Sequence, residues 1–255
     1  MGIINLTPDS FYKGSRLQQE GEILKRAEKM LEEGATFLDI GGYSSRPGAE
    51  DISIDEEIKR TAASIQQLTR EFPDLILSID TFRSKVAKEA VESGASIVND
   101  ISGGDLDSEM FDAVASMKVP YIGMHMRGTP QNMVKKTDYD DLLAEVVKSF
   151  STKIPQLHKL GVHDVIIDPG FGFAKSMQQN FDLLGKLEHF KSLEKPILVG
   201  LSRKSMIYKT LSIEADKALN GTTVLNTVAL LKGASILRVH DVKEAMEAIK
   251  LVNSL

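Results

Sequence analysis

Short apolar runs alternate with longer amphipathic stretches along the whole chain. Eight runs stand out, at residues 1–6, 37–41, 75–80, 96–99, 121–125, 165–168, 197–200 and 236–239. They favour Ile, Val and Leu, the composition of strands covered on both faces. Between them, apolar positions recur at helical spacing over 21–33, 54–70, 84–93 and 139–160. The last crossover is longer and predicts a short helix near 204–208 and another from about 214 to 231. Gly34, Gly94, Gly161 and Gly233 follow helix ends, where a left-handed C-terminal cap favours glycine.

Strands that alternate with helices predict a parallel sheet. Eight such units predict closure into a (β/α)8 TIM barrel, and 255 residues match the roughly 250 of one barrel. The alternative is a doubly wound open sheet, but the glycine-rich nucleotide turn expected after its first strand is missing. With no linker or low-complexity stretch, residues 1–255 read as a single domain.

Composition narrows the chemistry. Hydrophobic residues make up 42% and charged residues 26%, an ordinary globular balance. The net charge of -5 provides no basic field for nucleic acid. An anionic substrate would need cations concentrated locally. The absence of cysteine removes disulfides, thiolate nucleophiles and Cys-ligated metals. No apolar run approaches the ~20 residues of a membrane span, and residues 1–5 lack the basic start of a signal peptide. The expectation is a cytoplasmic enzyme with neither nucleic acid nor membrane as partner.

The ends of the runs carry the candidate chemistry. They present Asn5, Asp39, Asp80, Asn99-Asp100, His125, Asp168, Ser202-Arg203-Lys204, and Arg238 with His240. In a parallel barrel these positions share one rim, where barrel active sites are built. One Asp after a strand is also an ordinary helix cap, but eight polar ends together ask for more. Asp80, Asn99, Asp168 and Lys204 suit a flat heterocycle with adjacent N–H donors and a carbonyl. Asn5, Arg46, Arg238 and His240 suit a polyanion, and the Asn5 amide oxygen could also meet a Mg2+ bridging phosphate oxygens.

These residues fall within motifs that resemble those of the dihydropteroate synthases. Residues 1–11 (MGIINLTPDSF) resemble the first signature, and 39–48 (DIGGYSSRPG) the second-strand motif and its loop. Ser78-Ile79-Asp80-Thr81, Val98-Asn99-Asp100, residues 168–173 (DPGFGF), 200–205 (GLSRKS) and 238–242 (RVHDV) follow in family order. Seven motifs in order cover essentially the whole chain.

The resemblance implies a TIM-barrel transferase of folate biosynthesis. It would join 6-hydroxymethyl-7,8-dihydropterin diphosphate to 4-aminobenzoate and release diphosphate. By the same resemblance Asp80, Asn99, Asp168 and Lys204 hold the pterin, with Arg238 against the ring face. Arg238, Asn5, Ser45, Arg46 and His240 meet the diphosphate, and Asn5 a Mg2+. Pro47, Phe173 and Ser205 receive the aminobenzoate. Lys204, Arg238, His240 and Arg46 carry the catalytic roles, residues 7–14 form a first mobile loop, and a homodimer through outer helices follows the family habit.

Ser45 stands where the family usually has Thr, keeping the hydroxyl, and Tyr43 lies at a variable position. Met124 and Met126 are expected on opposite sides of their strand, so that at most one faces the pocket. His125 reads as a packed rim residue, and Asp39 and Asp100 as support. Glu56-Glu57 and Lys135-Lys136 read as solvated faces, and His158, His163 and His189 as exposed. Residues 220–223 read as a turn entering a helix or as barrel-base packing.

Two rivals share parts of the pattern. A methyltetrahydrofolate methyltransferase has a pterin-binding barrel but no diphosphate, leaving Asn5, Arg46, Arg238 and His240 without a task. A binding-only paralogue would have lost residues of the set, and none is lost.

Overall fold

The structure, a computed structural model, describes residues 1–6, 16–44 and 51–255, and the side chains of 16–20 lie outside that description. Its strands are β1 (Gly2–Asn5), β2 (Phe37–Gly41), β3 (Ile76–Asp80), β4 (Ile97–Asp100), β5 (Tyr121–Met124), β6 (Val165–Asp168), β7 (Leu198–Val199) and β8 (Ile236–Leu237). Helices separate them: α1 (Arg16–Glu32), α2 (Ile54–Glu71), α3 (Ser84–Glu92), α4 (Met110–Met117), α5 (Leu142–Lys159) and α6 (Met177–Gly185). The series ends with α7 (Ser205–Thr210), α8 (Leu219–Leu231) and α9 (Val242–Val252).

Strands β1 to β6 form a continuous parallel sheet in sequence order, and β7 pairs with β8. Single parallel bridges, Ile167 with Ile197 and Gly2 with Val239, close the ring on either side of that pair. The closing bonds include Ile3 N–H to Val239 O at 3.0 Å and Ile167 N–H to Pro196 O at 3.0 Å. The predicted barrel is therefore present.

Side chains alternate across each strand. Leu38, Ile40, Leu77, Ile79, Val98, Ile167 and Val199 point outwards and pack beneath the helices. Ile97, Ile122 and Leu198, joined by Met1, Phe37, Ile166 and Ile236, form an apolar plug in the lower interior. Each fully buried aliphatic side chain of this kind contributes roughly 1.5–3 kcal/mol. Further along the strands, the same alternation brings Asp39, Asp80, Asn99, Met124, Asp168 and Arg238 inwards at the upper end.

Local signals set several boundaries. Ser53 caps α2, its Oγ accepting the Glu56 N–H at 3.1 Å, and Asp141 caps α5 through the Ala144 N–H at 3.0 Å. That Asp141 cap starts α5 after the predicted residue 139. Ser176 and Gln179 form a reciprocal capping box at α6. The predicted caps Gly34, Gly94, Gly161 and Gly233 have φ of 99°, 118°, 87° and 101°. The predicted 214–231 helix is divided, with a 3-10 turn at Ala215–Lys217 before α8. Asn220, Gly221, Thr222 and Thr223 lie within the first turns of α8. Among the described residues, no helix is long and apolar enough to cross a membrane.

Candidate active site

Arg238, at the end of β8, reaches across the barrel interior. Its Nε lies 2.6 Å from Asp39 Oδ2 and its Nη2 lies 2.6 Å from Asp80 Oδ2. Asp39 Oδ2 also accepts from Asn99 Nδ2 at 3.0 Å. Asp39 is wholly buried, and among the described residues its Oδ1 has no partner, nor has Ser78 Oγ beside it on β3. A residue read as support thus connects the ring-reading group to the cation. Its signal was available: Asp39 shares the inward parity of Asp80 and Asn99.

Burial and pairing leave the charges here finely balanced. Burial pushes Asp80 up to about 7, with Arg238 opposing the shift and Asp39 adding to it. Burial works against the charge of Arg238, but Asp39 and Asp80 more than offset this and hold it above its ordinary value. Burial raises Asp168 against the pull of Lys204, and lowers Lys204 to about 8 against the pull of Asp168.

The loop after β6 joins two parts of the predicted site. Asp168 Oδ1 accepts the Gly170 N–H at 2.8 Å. Lys204 Nζ donates to Phe171 O and lies 4.6 Å from the centre of the Phe173 ring. Gly172 has φ of 80°, and a β-carbon there would come within 3.0 Å of Lys204 Cδ. Glycine therefore meets both a backbone and a space requirement at this position.

The anion-holding group lies along the neighbouring rim. His240 Nδ1 is 3.0 Å from Ser202 Oγ, which also accepts the His240 N–H at 3.2 Å. Burial, and then Arg238, pull His240 down to about 4, so the ring is neutral at pH 7. Arg203 sits at φ 54° and forks onto Asp241 with bonds of 2.9 and 2.8 Å. This fixes the turn that carries Ser202 and Lys204. Ser205 is exposed at the start of α7. Asn5 Oδ1 and Asp80 Oδ2 stand 3.8 and 3.6 Å from the place a β-carbon on Gly41 would take. Gly41 and Gly200, at inward positions, leave space at the mouth. Ser45, Arg46 and Pro47, with the 7–14 loop, lie outside the described residues.

Several sequence readings need correction. Glu57 is wholly buried rather than solvated, receiving Thr81 Oγ1 at 2.8 Å and Arg83 Nη1 at 2.9 Å. Its spacing to Thr61, Ser64, Ile65 and Leu68 places it on the buried face of α2. Met124 and Met126 pack in one cluster with Ile101, Met133 and Ala174. Residues two apart on a pleated strand share a face, and Met126 already lies past the end of β5. His158 is half-buried rather than exposed, with Nε2 2.9 Å from Lys195 Nζ. Asp100 does act as support, taking the Tyr121 hydroxyl at 2.8 Å and the Ser102 and Gly104 N–H groups at 2.7 and 2.8 Å. His125 is buried against Lys175, a residue the sequence reading did not single out.

Residues 1–240 match the family model described as pterin binding enzyme. The dihydropteroate synthase of Synechocystis is 43% identical over all of this chain and 89% of its own length. The Yersinia pestis dihydropteroate synthase, solved with a sulfonamide drug, superposes with a TM-score of 0.93 at 38% identity, covering 99% of this chain and 92% of that one. The Xanthomonas albilineans dihydropteroate synthase, solved with 4-aminobenzoic acid, gives 0.92 at 36% identity, with coverage of 99% and 91%. With its barrel mouth, its Asp–Arg–Asp bridge and this likeness along the full length, the chain belongs to the dihydropteroate synthase family of pterin-binding enzymes.

Proposed function

We propose that the chain condenses 6-hydroxymethyl-7,8-dihydropterin diphosphate with 4-aminobenzoate, forming 7,8-dihydropteroate and diphosphate. One observation carries the reading: Arg238 is held by Asp39 and Asp80 where the ring-reading carboxylates adjoin the His240 rim. Asp80, Asn99 and Asp168 accept from and donate to the edge of the pterin, Lys204 donates to its carbonyl, and Arg238 lies against its face. Asn5, Ser45, Arg46, Arg238 and His240 hold the diphosphate, while Pro47, Phe173 and Ser205 receive the aminobenzoate.

An arylamine is neutral at pH 7, so a strong general base brings little. The larger lever is the leaving group. The methylene C–O bond breaks, and its electron pair departs with the diphosphate, whose growing charge Arg238, Arg46 and His240 stabilise. The dihydropterin ring delocalises the positive charge left on the methylene. The amine nitrogen then forms the C–N bond and releases its proton to solvent.

Asn5 brings an amide oxygen to the mouth, and no cluster of three His, Cys, Asp or Glu occurs among the described residues. That donor set fits a Mg2+ held chiefly by diphosphate oxygens and water, with Asn5 as its protein ligand, and such an ion would neutralise leaving-group charge. We further propose a homodimer. The supporting observation is α8, which leaves Val224 53% and Leu231 58% exposed on the outside of the barrel.

The test is diphosphate release. Release with both substrates together, and none beyond background with the pterin diphosphate alone, is the expected result. Release without formation of a pterin–aminobenzoate product would overturn the reading. The dissociative course has its own check, positional isotope exchange in the diphosphate with a slow amine analogue bound. Scrambling is expected, and its absence during turnover rules out an early-leaving diphosphate.

A further inference from the structure

Beside the ring-reading pocket lies a buried cation to which the reaction above gives no task. Lys175 is only 8% exposed. Its Nζ lies 3.0 Å from Gly170 O, 3.1 Å from Phe173 O, 3.3 Å from His125 O and 3.2 Å from His125 Nδ1. None of these partners is a carboxylate. Burial lowers Lys175 to about 7 against the pull of Asp168, so holding it among neutral acceptors is costly, and a methionine would fill the volume without that cost. Its N–H donors must do something that an apolar side chain cannot.

Its partners show what that is. The chain leaves β6 at Asp168 and passes through three left-handed residues, Gly170 (φ 76°), Gly172 (φ 80°) and Ala174 (φ 48°). No strand ladder holds such a path. Lys175 binds the carbonyls on both sides of the turn and ties them to the end of β5, where the His125 N–H donates to Asp168 O at 3.0 Å. Burial keeps His125 neutral, down at about 2, so its Nδ1 lone pair accepts from the ammonium. Phe173, facing Lys204, is carried by the same turn.

We propose that Lys175 is a positioning residue for the aminobenzoate half of the reaction, its ammonium fixing the 170–173 backbone so that Phe173 faces Lys204 across the mouth. The proposal rests on the two-substrate reading above. Asp168 belongs to β6 and is held by the strand ladder, and Lys204, though it donates to Phe171 O, is anchored by the Arg203–Asp241 fork beside it, so the loss of Lys175 should act on one substrate far more than on the other.

Lys175→Met separates the possibilities. The KM for 4-aminobenzoate should rise at least about tenfold, a fraction of the 10²-fold that a 1 Å misplacement can cost. The KM for the pterin diphosphate should stay within about threefold. Because the chain has no cysteine, Lys175→Cys can be aminoethylated in denaturant at that one position and refolded, which restores an ammonium. The modified protein should recover the wild-type aminobenzoate KM, and the unmodified Cys variant, refolded alongside, should not. Equal changes in both KM values, or no recovery on aminoethylation, overturn the proposal. If Lys175→Met does not fold, His125→Leu, which removes only the imidazole acceptor, decides by the same selective rise in KM. Wild-type turnover is measured first: its absence sinks the two-substrate reading, whereas turnover with an unselective Lys175→Met effect sinks only the role of Lys175.

Discussion

Replacing Asp39 with Asn should damage catalysis while leaving the chain folded. In the wild type, Asp39 Oδ2 takes both Arg238 Nε at 2.6 Å and Asn99 Nδ2 at 3.0 Å. An Asn side chain can keep an oxygen in that place, with its amide group towards the position of the unpartnered Oδ1. What disappears is the charge. At an effective dielectric of 20, a pair of charges about 4 Å apart interacts by about 4 kcal/mol. Two effects offset much of that loss. Asp80 still pairs with Arg238, and a buried carboxylate no longer has to be desolvated. The net loss in holding Arg238 is about 1.4–2.8 kcal/mol, or about 10- to 100-fold in kcat/KM for the pterin diphosphate. Global stability should fall by about the same 1.4–2.8 kcal/mol, because the pair already exists in the free protein. Asp39→Ala removes the acceptor altogether and leaves two buried donors unsatisfied, at about 1–3 kcal/mol each, so it should fall below Asn by about a further tenfold. Steady-state diphosphate release at saturating 4-aminobenzoate, with urea unfolding alongside, measures both quantities. If both variants stay within about threefold of wild type, or Ala matches Asn, then Asp39 does not position Arg238.

Two further outcomes follow from buried charges. Free His240 is held down at about 4, and a bound diphosphate must raise it. The bound state then takes up a proton at pH values between the free and the bound value, and affinity rises as pH falls through that window. Calorimetry at pH 6 in two buffers of different ionisation heat should show more proton uptake for wild type than for His240→Gln, and equal uptake would refute the assignment. At Glu57, substitution by Ala leaves Thr81 and Arg83 without a wholly buried acceptor. Breaking such a pair costs about 3–5 kcal/mol, which lowers the thermal midpoint by about 6–20 °C for a chain of this size. A shift below about 2 °C would show that Arg83 re-pairs fully with Asp51 and Ile52 O.

The barrel and its polar rim were legible because two regularities coincide: run spacing set the element order, and strand ends set the rim. Counting parity along each run would have gone further, separating inward Asp39, Asp80, Asn99 and Asp168 from Asp100, which faces the helix layer. The same count would have put Met124 and Met126 on one face. Glu57 was misread because charge was given more weight than its place in the helical period of α2. Lys175 had no local signature at all. Its burial arises from His125, 50 residues away in sequence, and from backbone carbonyls, which carry no residue identity. The His240–Ser202 pair likewise joins two loops far apart in sequence that meet only when β7 pairs with β8 in the ring.

The unequal closure of that ring has a mechanical consequence. Asp39, Asp80, Asn99 and Asp168 ride on the six-stranded sheet, while Lys204, Arg238 and His240 ride on or beside the β7–β8 pair. Each join between the two is short, one parallel bridge with a few backbone bonds beside it. The barrel therefore resembles a stave wall with one narrow panel let into it, and the panel carries the cations. Arg238 spans the interior from the panel to two carboxylates of the wall, and so acts as a tie rod between them. A ligand that draws Arg238 away from Asp80 would loosen the panel just as it supplies its own anchors on both sides, transferring the brace from protein to substrate.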